Sequence, residues 1–349
     1  MPSAVIIGVG ETPHAPRRDD VNTTELAWEA VSTALDDAGV DLDDIDNAVT
    51  ASQDFWEGRT ISSMAVNEVV AGYLRPESKV AADGAQAVLY AWARMAGGTY
   101  RLGLVLAHCK ESAADPHAVD VAAMDPYLQR DLDVDETVAA GLQAAMLAYP
   151  AQVRAAAVAA STSRSPWRDP VDAEAVLASE QTATPLHALE RAPLADGACA
   201  LVVADEATAA RLGRDGVRIA GCGTSTDPYW TDRDLTRAPA LAAARDAALA
   251  AAGWDGLPDV VEIAAPYAHQ AILWGAGMGL GPPERVVAHL GGGGSPRGGW
   301  LGGAPGVVAG LSAVAGCVLA LRERPGRAVA HGATGILGQS HHVVCLESA

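Results

Sequence analysis

The sequence predicts an α/β fold written twice: two similar αβαβα halves that pack into a five-layered α-β-α-β-α arrangement. Three observations carry this. A β-branched strand ending in a glycine turn over residues 4–12 recurs over 217–224. Each copy leads to an Ala/Leu-rich helix, a glycine stop, an Asp-containing connection and a strand. Two later segments read as helices made almost wholly of small apolar residues, with no face suited to water. Motifs that recur this far apart imply two copies of one structural unit.

In the first copy, residues 1–10 read as a strand entered at once. Thr24 caps a helix over 25–38 that Gly39 stops, and 41–46 lead into a strand over 47–50. In the second, a helix over 241–252 stops at Gly253, and 254–259 connect to a strand over 260–263. The small-residue helices are 84–95, leading to a strand over 102–107, and 306–321, leading to one over 328–330. Asp196-Gly197-Ala198 feeds a buried strand that closes the first half, and a strand over 342–346 closes the second. Continuous apolar strands separated by helices predict mostly parallel sheets with right-handed crossovers. The halves divide at 1–210 and 211–349, with an irregular Asp/Pro-rich loop region over 109–165 that covers a site.

Half of the 349 residues are apolar and 19% are charged, which is material for a large buried core. The net charge of −19 is spread without any Lys/Arg stripe, so nucleic acid is not an expected partner. The start lacks a basic segment followed by an apolar one and a cleavage site, and no later run is long enough to span a bilayer. A cytoplasmic protein without a membrane partner is expected. The five cysteines are odd in number and lack CxxC spacing, which predicts reduced core residues and no zinc site. Gly291 to Gly294 invite a phosphate-loop reading, but no Lys-Ser/Thr follows; a flexible loop beside Gly298 to Pro305 is expected.

Taken in order, Ile6-Ile7-Gly8-Val9-Gly10-Glu11-Thr12-Pro13, Asp196-Gly197-Ala198 and Gly298-Gly299-Trp300-Leu301-Gly302-Gly303-Ala304-Pro305 resemble the thiolase superfamily. Within it, the sterol-carrier or lipid-transfer thiolases are most similar. The resemblance spans nearly the whole chain and implies the duplicated thiolase fold, an acyl-CoA thioester as substrate, and no cofactor beyond the coenzyme A of that substrate. It also implies a homodimer, or a heteromer with a zinc-ribbon/OB-fold partner protein.

Against that pattern the thiolase chemistry is missing. A thiolase needs a cysteine thiolate at the start of the first buried helix, where the helix dipole and N–H groups lower its pKa. Residues 79–86 contain none. Asp83 is a poor nucleophile toward a thioester, because acyl transfer to it yields an anhydride, and it has a sufficient role as an N-cap. The family's Gly-His-Pro motif is matched by Gly303-Ala304-Pro305, so its histidine is absent. The branch's His-Asp-Cys-Phe is matched by Ala264-Ala265-Pro266-Tyr267.

Tyr267 stands at the C-terminal end of a strand, where α/β folds place ligands. Relatives that act as retro-aldolases in steroid side-chain breakdown resemble this pattern, which makes Tyr267 the candidate for moving the proton of a β-hydroxyacyl-CoA; equally, it fills the space of the family's phenylalanine. His269 is a donor or a satisfied histidine. His331, before the glycine turn Gly332 to Gly335, is a remaining acid/base or a structural residue, and the backbone of Gly332 and Gly335 is the expected oxyanion holder. Asp83 and Gly303 are placed at the same substrate site, and Lys110 is a candidate for a CoA phosphate. His341 and His342 alternate on a strand and form no metal pair.

Three functions remain open from the sequence. One is a retro-aldol carbon–carbon lyase on a β-hydroxyacyl-CoA. Another is a degenerate thiolase-like subunit that binds acyl-CoA or a partner. The last is an acyltransferase with a displaced nucleophile such as Cys109.

Overall fold

The structure, a computed structural model, describes residues 4–58 and 61–348; the expected strand start at Met1 to Ser3 lies outside them. Strand β1 (Ala4–Glu11) is buried along all but its last residue. Helix α1 (Thr23–Ala38) begins at Asn22, not at Thr24. The Asn22 side chain accepts the Glu25 N–H at 3.0 Å and the Glu25 carboxylate accepts the Asn22 N–H at 2.8 Å, a reciprocal cap. Thr24 lies one residue into the helix, and its hydroxyl donates to the Ala65 carbonyl. Gly39 ends the helix at φ 65°. Next come β2 (Asn47–Ala51), the short α2 (Asp54–Glu57), β3 (Glu77–Val80), α3 (Gly84–Ala96) and β4 (Leu102–Lys110).

The segment expected to be irregular over 109–165 is largely helical: α4 (Pro116–Ala123), α5 (Glu136–Leu147) and α6 (Ala151–Thr162). Some of its aspartates and prolines are helix starts, among them Asp115, Pro116, Asp135 and Pro150. Asp115 and Asp135 accept first-turn N–H groups, and Pro116 occupies the position where a missing N–H costs nothing. Helix α7 (Ala173–Ala178) and the hairpin β5 (Gln181–Ala183) and β6 (Leu186–His187) follow. The chain continues through β7 (Asp196–Asp205), α8 (Glu206–Arg211), β8 (Val217–Thr226), α9 (Pro239–Ala252), β9 (Val260–Ile263), α10 (Ala268–Met278) and α11 (Pro283–Gly291). It closes with α12 (Ala309–Glu323), β10 (Arg327–Thr334) and β11 (Ser340–Ser348).

Nine strands form one sheet in the order β3-β2-β4-β7-β1-β8-β11-β10-β9. Outward from the central β1–β8 pair, β7-β4-β2 on one side repeats as β11-β10-β9 on the other, which is the duplication. Of the eight pairings, only β2–β3, β2–β4 and β9–β10 are parallel, so the mostly parallel expectation is corrected. The reason is that β7 and β11 each run back between two strands of opposite direction.

Helix α1 covers the outer face of the first half-sheet and α9 that of the second, while α3 and α12 touch each other and strands of both halves. This is the five-layered arrangement, and it explains why α12 carries apolar residues on every side. The repeated Gly-x-Gly segments prove to be strand positions rather than turns. A Cβ on Gly10 would stand 2.0 Å from the Ala30 carbonyl of α1, and one on Gly223 would stand 2.0 Å from the Ala244 carbonyl of α9. Both pairs let a helix lie directly on its strand. Among the described residues, no helix is long and apolar enough to cross a membrane.

Candidate active site

A cavity of about 260 Å³ lies where the two halves meet. Its floor is the approach to α3, residues Ala81 to Asp83; its roof comes from α4, α5 and the segment before β7; Tyr267 and the turn after β10 close the sides. Trp56, Trp274, Trp300 and Val119 make much of the wall apolar.

Asp83 is the N-cap of α3, and both of its oxygens are committed: one accepts the Ala85 N–H at 2.8 Å, the other the Gly310 N–H of α12 at 2.8 Å. The neighbouring N–H groups are also used, Gly84 donating to the Val307 carbonyl and Gln86 to that of Asp83. Burial pushes the Asp83 carboxyl up to about 7 while these N–H groups pull it down. Asp83 is therefore a helix clamp that also lines the cavity. Gly332 faces the same carboxylate, since a Cβ there would meet Asp83 Oδ1 at 1.9 Å. Gly335, at φ 83°, does line the cavity.

Tyr267 lines the cavity and is 1% exposed. Its hydroxyl lies 3.5 Å from Thr137 Oγ1, and the Arg191 guanidinium stands 5.9 Å from its ring. Burial pushes the phenol above its ordinary pKa, against the pull of Arg191. Burial thus favours the neutral phenol.

The other sequence candidates are held elsewhere. His269 bonds Gln143 Oε1 at 3.1 Å, which ties α10 to α5, and burial lowers its pKa to about 3. His331 Nε2 meets His341 Nδ1 at 3.0 Å behind Trp274, and burial lowers it likewise to about 3. Lys110 donates to the carbonyls of Arg18 and Val21 at 2.6 and 2.7 Å, which satisfies the ammonium without a phosphate. Gly303, at φ 100°, closes a turn against Arg168 and Pro193. The described residues that line the cavity include none of these four.

Four charged residues that sequence reasoning missed stand in the cavity wall. Arg191 donates to Thr137 Oγ1 at 2.9 Å and lies 3.9 Å from Asp120. Burial raises the Asp120 carboxyl to about 6, and raises that of Glu136 to about 7 with Asp120 as a second cause. Glu111 accepts the Ala195 and Gly306 N–H groups at 2.9 and 2.8 Å, and burial raises it to about 7. Glu111, Asp120 and Glu136 leave one trace in the sequence, as acidic residues in a segment expected to cover a site, and Arg191 lies outside that segment. Carboxyl groups that titrate near neutrality beside a neutral phenol and a guanidinium can exchange a proton with a bound hydroxyl or carbonyl.

Behind this wall, Glu262 of β9 holds the Gly298 to Pro305 segment: its carboxylate accepts the N–H groups of Arg297 and Gly299 and the Ser295 hydroxyl. Gly299, at φ 62°, passes so close to the Ile263 carbonyl that a Cβ would stand 2.0 Å from it. That passage brings Trp300 to the cavity.

No protein-family model matches the chain, and no curated protein matches it. Solved structures do. A monomeric SCP2-thiolase-like protein type 1 from Mycobacterium smegmatis superposes with a TM-score of 0.74 at 20% identity, over 99% of this chain and 77% of that chain. The Ltp2-ChsH2(DUF35) aldolase gives a TM-score of 0.78 at 18% identity, over 99% of this chain and 98% of that chain. Human mitochondrial 3-ketoacyl-CoA thiolase gives 0.77 at 15% identity, over 100% and 99%. With its halves, layers and strand order on this pattern, the chain has the duplicated thiolase fold.

Proposed function

We propose that the protein is a carbon–carbon lyase that cleaves a β-hydroxyacyl-CoA by a retro-aldol route, with coenzyme A entering as part of the substrate. The observation that carries this reading is the composition of the cavity. A phenol, a guanidinium and carboxyl groups that burial raises to about 6 to 7 all line it. The approach to α3, where an acyl-transfer nucleophile is expected, presents Ala81, Ala82 and a committed Asp83.

In the proposed reaction the β-hydroxyl loses its proton, the Cα–Cβ bond breaks, and its electron pair passes to the thioester as an enolate. A ketone or aldehyde leaves, and the enolate takes a proton at Cα. Tyr267 donates a hydrogen bond to the reacting oxygen, and Arg191 offsets the charge that develops. No acyl-enzyme is formed. The apolar walls suit a bulky lipid or steroid side chain, and the aldolase that superposes on this chain over nearly its full length supports the reaction class. That aldolase is an Ltp2-ChsH2(DUF35) assembly, so a partner protein belongs to the proposal.

The test is incubation of the purified protein, alone and with a DUF35-type partner, with β-hydroxyacyl-CoA thioesters while the released carbonyl compound is followed by mass spectrometry. Cleavage without an acylated protein intermediate is expected. Binding of the thioesters without cleavage under both conditions would instead support a degenerate acyl-CoA-binding subunit, which the structural bonds of Asp83, Lys110 and His331 also fit.

A further inference from the structure

Asp120 is the polar group of the cavity with an unmet requirement. It is 7% exposed, lies in the cavity wall, and its Oδ2 has no hydrogen-bond partner among the described residues. A buried carboxylate oxygen left without a donor is destabilising, and an incoming hydroxyl relieves it. Arg191 stands 3.9 Å from this oxygen, too far for a hydrogen bond yet close enough to favour its negative charge.

The neighbouring carboxyls are differently placed. Both oxygens of Glu111 and both of Asp83 accept backbone N–H groups, and Glu136 accepts the Leu337 N–H at 3.2 Å. Arg191, Asp135, Glu136 and His117 are the charged or titratable groups that act on Asp120. Tyr267 and Asp120 share Arg191 as neighbour, so the guanidinium links the proposed donor to the free carboxylate oxygen.

We propose that Asp120 is the general base of this site, its Oδ2 taking the proton of the β-hydroxyl as the Cα–Cβ bond breaks and returning it to Cα of the thioester enolate. The proton count balances within one turnover, and no oxidant or co-reactant is required. The assignment rests on the lyase reading. Burial raises the Asp120 carboxyl above the ordinary carboxylate range, to about 6. Activity therefore rises with pH through about 6 and levels above it.

The experiment is cleavage of β-hydroxy-β-methylbutyryl-CoA, which gives acetone and acetyl-CoA, together with longer-chain homologues, by wild type and D120N between about pH 5 and about pH 8. D120N keeps the shape of the side chain and removes no hydrogen bond from Oδ2. The expected result is a fall in kcat of roughly a hundredfold or more, with acyl-CoA binding within about threefold of wild type. A D120N rate within about threefold of wild type, or a flat wild-type profile, overturns the assignment and leaves the lyase reading standing. If wild type, alone and with the DUF35-type partner, cleaves none of the thioesters, the lyase reading falls and the assignment with it. Should D120N fail to fold, D120S takes its place, with the same fall in kcat expected and a rate within about threefold of wild type overturning the assignment.

Discussion

The carboxylate of Asp83 accepts the backbone N–H of Gly310 at 2.8 Å, so the first turn of α3 is tied to the first turn of α12 across the plane where the two halves meet. The same carboxylate caps its own helix through Ala85. Replacing Asp83 by Ala removes a cap and leaves a buried N–H of α12 without an acceptor. The expected loss is about 2 kcal/mol or more of unfolding free energy, read by urea denaturation. D83N, which keeps one acceptor oxygen, is expected to lie between the two; equal stability of D83A and wild type would contradict the clamp.

Tyr267→Phe separates chemistry from packing. The phenol oxygen has only a long contact, 3.5 Å to Thr137, while the ring is buried against α5 residues and Arg191. Stability is expected to change by less than about 1 kcal/mol. Under the lyase proposal, kcat falls roughly a hundredfold with little change in KM, because a neutral donor acts on charge that appears only as the bond breaks. Steady-state kinetics and a melting curve on the same preparation test both halves of this expectation.

Thiol alkylation tests the displaced-nucleophile acyltransferase. Cys109, Cys199, Cys317 and Cys345 are buried and Cys222 partly so. Burial raises Cys345 to about 12 and the other four well above the ordinary thiol value, so little thiolate exists at neutral pH. Iodoacetamide is expected to label the folded protein slowly, by intact mass, and to leave any thioester cleavage unchanged. Rapid labelling of Cys109 with parallel loss of activity would restore the acyltransferase.

What the sequence makes legible here is what local physics decides. Gly39 and Gly253 are readable because αL stops need glycine, while the Gly8/Gly10 and Gly221/Gly223 pairs mark the repeat but look like turns until the helix lying on each strand is seen. Asp115 and Asp135 are ambiguous, since an aspartate that starts a helix looks the same as one in a loop. Lys110, His269 and His331 stand out as polar residues in apolar runs, but the groups that satisfy them are brought by the fold: carbonyls about ninety residues away for Lys110, Gln143 for His269, His341 for His331. Asp120, Glu136 and Arg191 are the converse. They come from α4, α5 and the segment before β7, outside the repeat, and only the closed structure places them in one wall.

Glu111 supplies a pH signature that needs no substrate. Its two oxygens accept the N–H groups of Ala195 and Gly306, and burial raises its pKa from 4.5 to about 7. In the window between those values the folded state keeps a proton that the unfolded state has released. The native state then binds more protons, so the stability attributable to this group is greatest below about pH 4.5 and declines as pH rises toward about 7. The slope for one such group reaches at most about 1.4 kcal/mol per pH unit. Asp83 and Glu136 slope the same way, so the difference between wild type and E111Q isolates Glu111. In E111Q the amide has one acceptor oxygen for two N–H donors, which lowers stability by roughly 1–3 kcal/mol at low pH. Because an amide does not ionise, the deficit of the variant narrows as pH rises. Unfolding free energies of both proteins at about pH 5 and about pH 7.5 decide the matter: a deficit that widens with pH would mean that the paired N–H groups outweigh burial and hold Glu111 ionised.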